Sequence, residues 1–195
     1  PKLMITAEEI KADFDELADL IEPGESGIGR YDAYLLSLIP SSARSLLDVG
    51  CGLGRLTRAI ASADRDIVGL DVSPRMIARA KSEETTVGAT FLEGDFMELD
   101  FGERRFDCIV SAAALHHMPA VAALRRMCGL LRPGGRLVIH DLRRDSSAMD
   151  VVRSYSALAV VLLTRLVQTG RILRPKRVRK AWERHGAREE YLSLA

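Results

Sequence analysis

"LLDVGCGLGR", residues 46–55, decides how this chain folds. An apolar run ends in Asp48, and Gly50, Gly52 and Gly54 follow at alternate positions. Leucine and valine closed by an acid read as a strand buried on both faces. Glycines directly after it permit positive φ and let a ligand come close to the backbone. A dinucleotide fold would show G-x-G-x-x-G, its last gap fitted to a pyrophosphate over a helix N-terminus. Here the spacing is G-x-G-x-G, and Arg55 stands where the third glycine would be. The bend therefore predicts a seat for a nucleoside without a pyrophosphate.

Working outward, five short apolar runs appear: 44–49, 66–72, 89–94, 106–111 and 135–141. Helical patterns at 54–62, 74–82 and 119–131 separate most of them, and the link from 94 to 105 reads as loop. Strand and helix in alternation imply right-handed crossovers and a doubly wound, mostly parallel α/β sheet of Rossmann-like type. The turn Arg132-Pro133-Gly134-Gly135 precedes the fifth strand and reads as structural. Upstream, Ile10, Phe14, Leu17 and Leu20/Ile21 share one helix face over 6–21, with Thr6 as cap and Glu9 three residues on. A second short helix near 30–38 carries Tyr31 and Tyr34. Downstream, Val151 to Val167 forms an amphipathic stripe, and a basic helix or loop follows. One domain over 1–195 is expected: a helical lid (1–40), a core (41–142) and a helical C-terminal segment (143–195).

In a doubly wound sheet, ligands bind outside the carboxyl ends of the strands, where strand order reverses. Asp48 ends the first strand, Asp71 the second, and Asp95 follows the third in "EGD". A carboxylate at the second position can accept both hydroxyls of a ribose. Asp95 can accept from an exocyclic amine, and Phe96 can flank a ring. Three acids at successive strand ends point to one nucleoside pocket. Each also has a local reading, since Asp71 can cap the helix that begins at Ser73-Pro74.

Together "LLDVGCGLGR", "VGLDVSPRMIARA", "FLEGDFMEL", "FDCIVSAAALHHM" and "LLRPGGRLVIHDL" resemble, in order and spacing, the motifs of class I S-adenosylmethionine-dependent methyltransferases. The resemblance covers roughly residues 28–142. It implies S-adenosyl-L-methionine as cofactor, with Asp48, Gly50, Cys51, Gly52 and Gly54 along its methionine part and ribose. It implies Asp71 on the ribose hydroxyls, Val72 and Met76 beside the adenine, and Asp95 and Phe96 at its edge and face. Ser111 and Ala112 would sit near the sulfonium, and Tyr31 and Tyr34 would belong to a lid helix.

Methyl transfer from a sulfonium is an orientation problem, and a base is needed only if the acceptor must lose a proton. His116 and His117 follow the fourth strand; adjacent histidines face different sides, so one at most meets the acceptor. His140, beside Asp141 at the end of the fifth strand, is a second candidate base. No ligand cluster with metal spacing accompanies these histidines.

The acceptor is expected to be a small molecule, with the stripe at 151–167 as one wall for an apolar or lipid-like compound. Two competing readings are a cofactor-binding module without catalysis and a methyltransferase of RNA or protein. Residues 1–32 carry nine acids and three bases; residues 165–188 carry nine bases and one acid. That asymmetry reads either as two solvated helix faces, able to face each other, or as a mark of an anionic partner. A formal net charge of +1, however, gives no global field toward nucleic acid. Cys51, Cys108 and Cys128 form no disulfide framework and read as reduced thiols in a cytoplasm. The longest apolar run, 155–164, is too short to span a bilayer. No signal is found for the antiparallel hairpin that usually closes the family's sheet. The fifth strand is left as an edge that a shortened chain leaves open, that residues from 145 on wrap, or that a second copy covers as a homodimer.

Overall fold

The structure, a computed structural model, describes residues 6–21, 30–83, 87–142 and 175–187. Five parallel strands form one sheet: β1 (Ser45–Val49), β2 (Asp66–Asp71), β3 (Ala89–Glu93), β4 (Phe106–Ala112) and β5 (Leu131–His140). Their order is β3-β2-β1-β4-β5. The chain steps outward from β1 to β3, then returns to place β4 on the other side of β1. Strand order thus reverses between β1 and β4, and the crevice opens at their carboxyl ends.

Alternate residues of the strands feed two cores, as the period of two requires. Leu46, Ile67, Cys108, Val110 and Val138 face α2 (Arg30–Leu38) and α3 (Arg55–Ile60). Leu47, Val49, Val68, Leu70 and Ile109 face α5 (Ala120–Leu130), through Ala123 and Met127. α4 (Pro74–Ser82) packs Ile77 and Ala80 on Phe91 and Cys51, with Ser73 as its side-chain cap. The predicted 132–135 turn lies inside β5. Leu131 pairs with Phe106 and Arg136 with Cys108, so the four residues between them bulge out of the ladder. Among the described residues no strand lies beyond β5. The predicted stripe at 151–167 falls outside the described residues.

Two helices complete the molecule above the carboxyl ends. α1 (Ala7–Leu20) starts at the predicted capping box of Thr6 and Glu9. It lies on the start of α4: Asp15 accepts from Ser73 Oγ at 2.6 Å and from the Arg75 amide at 3.2 Å. Leu17 and Ala18 bury themselves against Leu53, Met76 and Ala181. Ala181 belongs to α6 (Lys176–Gly186), the predicted basic helix. α6 meets the acidic face of α1 through Arg184 and Glu16 at 2.5 Å, and through His185 and Asp13 at 3.0 Å. The lid expectation needs correcting here. α2 buries Leu35, and the residue after it, Ile39, in the sheet's core, and its Tyr34 is 62% exposed. The apolar positions of α2 match the sheet face, so the cover over the crevice falls to α1.

Candidate functional site

A cavity of about 560 Å³ opens at the switch point. The glycine bend forms its floor. The amides of Gly50 and Cys51 donate to the Leu70 carbonyl at 2.8 and 3.0 Å, binding the bend to the end of β2. Gly50 has φ +77°, and a Cβ there would lie 2.2 Å from that of Ala114. Glycine is required at this point on both counts. Gly52, at φ +52°, has open space where a side chain would stand. The backbone therefore presents itself bare to the cavity.

The three strand-end acids line this one cavity, which brings the predicted set together. Asp48 is 1% exposed and accepts from Thr57 Oγ1 at 2.7 Å. Burial pushes its carboxyl up to about 6, with the charge of nearby Asp71 adding to the rise. Asp71 accepts from the Gly52 amide at 2.8 Å and the Ser73 amide at 2.9 Å. These bonds oppose burial, which still dominates and raises its pKa. The cap of α4 is Ser73 and not Asp71, which braces the residue before the helix and keeps its carboxylate at the cavity wall. Asp95 accepts from the Met97 amide at 2.8 Å. Val72, Met76 and Phe96 line the cavity beside these acids, and so do Cys51 and Ala112. Gly54, also predicted, is the left-handed cap of α3 and lies outside the lining.

Other predicted residues go elsewhere. Ser111 is 1% exposed and donates to the Val49 carbonyl at 3.1 Å, tying β4 to β1 rather than facing the cavity. The Tyr31 side chain lies outside the described residues. Of the three histidines, His117 lines the cavity, whereas His116 and His140 do not. The His116 Nδ1 pairs with the Asp141 carboxylate, whose other oxygen accepts the His116 amide at 2.9 Å. Burial works to raise the Asp141 pKa, but the His116 bond and charge outweigh it and the net shift is downward. An ionised Asp141 accepts only, so Nδ1 of His116 carries the proton. The rings of His116 and His117 lie 3.9 Å apart. Between strand and histidines, Ala113 holds φ +56°, an uncommon setting for a residue with a Cβ.

Several lining residues were absent from the sequence reading. Ile10 and Phe14 come from α1, and Trp182 from α6. The Phe14 ring meets His117 edge-on at 5.3 Å and His185 at 5.0 Å. His117 and His185 are 5.1 Å apart, and Trp182 meets His185 edge-on at 5.8 Å. The available signals were the apolar stripe of 6–21 and the single tryptophan inside a basic run. Arg55 also lines the cavity and pairs with buried Asp32 at 2.7 Å. Among the described residues no cluster of metal ligands is formed. No described helix is long and apolar enough to cross a membrane.

The doubly wound sheet, with acids at three neighbouring strand ends around a bare bend, is an α/β domain of Rossmann-like type. Residues 46–135 match the family model described as "Methyltransferase domain". Over that region the chain is similar to methyltransferases, in agreement with the motifs in its sequence. It is similar to an uncharacterized methyltransferase of Mycobacterium tuberculosis, 34% identical over 110 residues, 56% of each chain. It is also similar to the ubiquinone biosynthesis O-methyltransferase of Cereibacter sphaeroides, 32% identical over 127 residues, 63% of this chain and 51% of that one. The matched region thus spans about half the length of these curated relatives. In fold it is similar to the N-methyltransferase NodS of Bradyrhizobium japonicum, solved with S-adenosyl-L-homocysteine. That likeness has a TM-score of 0.52 at 24% identity and covers 65% of this chain and 71% of the other.

Proposed function

We propose that this protein binds S-adenosyl-L-methionine in the cavity at the switch point and methylates a small-molecule acceptor. The observation that carries this reading is the convergence of Asp48, Asp71 and Asp95, from three neighbouring strands, on the cavity that also holds His117. The residues fit the cofactor's chemistry. The bare backbone at Gly52 admits a ligand where any side chain would intrude. Asp71, with both oxygens already drawing in backbone amides, has lone pairs left for ribose hydroxyls. Asp95 takes the adenine amine while Val72, Met76 and Phe96 flank the ring. Asp48 faces the cationic methionine end.

When bound, the cofactor supplies a methyl carbon that an acceptor lone pair attacks as the carbon–sulfur electron pair leaves to sulfur. The chain's own contribution is orientation, exclusion of water and one proton transfer. His117 receives the proton that an acceptor hydroxyl must lose. His116 fixes the ring beside it, and Asp141 fixes His116. Support for a small acceptor comes from the size of the cavity and from the ubiquinone-pathway relative, whose printed activity is O-methylation. The charge asymmetry of the chain is partly consumed where α6 meets α1, which weakens the case for a nucleic-acid acceptor.

The test has two stages. Calorimetric titration with S-adenosyl-L-homocysteine must show saturable one-to-one binding. Incubation with S-adenosyl-L-methionine and a panel of small hydroxyl compounds must then release S-adenosyl-L-homocysteine above the rate without acceptor. Binding without release from any acceptor would favour the non-catalytic module, and absence of binding would remove the reading.

A further inference from the structure

The acceptor side of the cavity differs chemically from the rest. The charged lining residues are Asp48, Asp71, Asp95 and Arg55, all on or next to the sheet's carboxyl ends. The remaining wall holds Ile10, Phe14, Met118, Pro119 and Trp182, with His117 as its polar group. Phe14, His117 and Trp182 supply the rings of this wall, and buried His185, outside the lining, joins them: Trp182 and Phe14 each meet His185 edge-on, and Phe14 meets His117 edge-on. Such a set offers ring faces and edges at angles that a further aromatic ring complements. Trp182 is held there by its helix. Its neighbours Ala181 and His185 are buried, His185 is bonded to Asp13, and Arg184 is bonded to Glu16. Trp182 itself remains 36% exposed at the cavity edge. A large apolar surface fixed in place at the rim of a neutral wall has the form of a contact that a ligand completes.

We infer that Trp182 is the acceptor-recognition residue, and that the acceptor class is an uncharged, planar aromatic compound carrying a hydroxyl that reaches His117. This rests on the methyltransferase reading above and deepens it by naming the substrate class. Among the described residues this wall holds no acid for an ammonium acceptor and no Lys or Arg for a carboxylate, so an uncharged acceptor suits it. A flat ring gains contact with Trp182 and Phe14, whereas a puckered ring of the same size cannot lie along them.

Trp182 is the chain's only tryptophan, so the protein's own fluorescence reports on this wall. The probes are 4-methylcatechol and its saturated counterpart 4-methylcyclohexane-1,2-diol, titrated in the presence of saturating S-adenosyl-L-homocysteine. The catechol is expected to quench the emission saturably, and the saturated diol to bind about tenfold more weakly. By calorimetry, W182A should weaken catechol binding about tenfold and W182F much less, with S-adenosyl-L-homocysteine affinity unchanged in both. Equal binding of the two probes, or catechol binding unaffected in W182A, overturns the proposal while leaving the methyltransferase reading intact. Failure of the wild-type protein to bind S-adenosyl-L-homocysteine overturns both. The wild-type titration needs no variant, so a misfolded W182A would not rescue the idea.

Discussion

The cavity has two halves built by different means. The cofactor side is made of strand ends and the turns that follow them, Asp48 to Leu53, Asp71 to Ser73 and Gly94 to Met97. Each piece is local in sequence, and main-chain hydrogen bonds lock the pieces together. The wall proposed for the acceptor is assembled from chain segments far apart, Phe14, His117 and Trp182, with buried His185 against them. Ring packing, ion pairs and a few apolar contacts hold it. The comparison teaches that the half proposed for the cofactor sets its side chains on strand ends pinned by backbone amides, whereas the half proposed for the acceptor sets them on attached helices.

The largest expected effect tests whether chemistry belongs to the acceptor side alone. With an acceptor found in the release assay, His117→Ala should lower turnover by about 10²–10⁴-fold, the usual weight of a general base. S-adenosyl-L-homocysteine affinity should be unchanged by calorimetry, and added imidazole should restore part of the rate. A variant of full activity would leave His117 as a wall residue only.

Next in size is the join between the halves. Gly50→Ala puts a Cβ against Ala114 at a left-handed position, so the bend and the segment leading to His117 must both move. A loss of about 2–4 kcal/mol in unfolding free energy is expected, read from denaturant melts. A neutral result would mean that the backbone there is less constrained than its bonds imply.

Asp71→Ala probes the cofactor side by itself. Affinity for S-adenosyl-L-homocysteine should fall by about 1–3 kcal/mol, the scale for a ligand hydroxyl losing its acceptor. Turnover at saturating cofactor should change much less than in His117→Ala. An equal fall in both quantities would blur the division drawn here.

The smallest effect is a pH dependence carried by Asp48. Its pKa is raised from 3.8 to about 6 by burial, so between those values the folded protein holds a proton that the unfolded chain has lost. This group therefore makes the unliganded fold more stable as pH falls from 6 toward 4. Cofactor binding runs the other way, because the cationic methionine end calls for the ionised carboxylate. Affinity should weaken below pH 6 by up to about tenfold per pH unit. Asp48→Asn should flatten both trends, which assigns them to Asp48.

The two halves also differ in how far they could be read in advance. The strands were legible because near-continuous apolar runs such as "RSLLDV" and "DIVGLDV" have few other uses, and each ended in an acid with a stated purpose. Asp48, Asp71 and Asp95 converge because strand order alone brings their ends together. Ser111 was misplaced by parity: it points between strands to Val49, whereas the next residue, Ala112, reaches the cavity. The lid was read over the whole of 1–40 because α1 and α2 have similar apolar spacing. Only the partner surfaces distinguish them: Leu35 and Ile39 fit the sheet, while Phe14 and Leu17 fit the rim. Trp182 and His185 were invisible because the basic residues around them read as solvated surface. No local rule links position 185 to Asp13, more than 170 residues earlier.

One consequence follows from how α1 and α6 are fastened. Neither contributes a strand or a ladder bond; α1 rests on α4 through Asp15, the Asp19–Arg75 pair and the Arg79 bonds to the Ala18 and Ile21 carbonyls, α6 rests on α1 through Glu16 and Asp13, and both share a small apolar patch. Replacing either helix with one of different shape would leave every pairing of the sheet undisturbed. The centre is thus a fixed socket and the cover an interchangeable fitting, so new acceptors come within reach by changing the fitting alone.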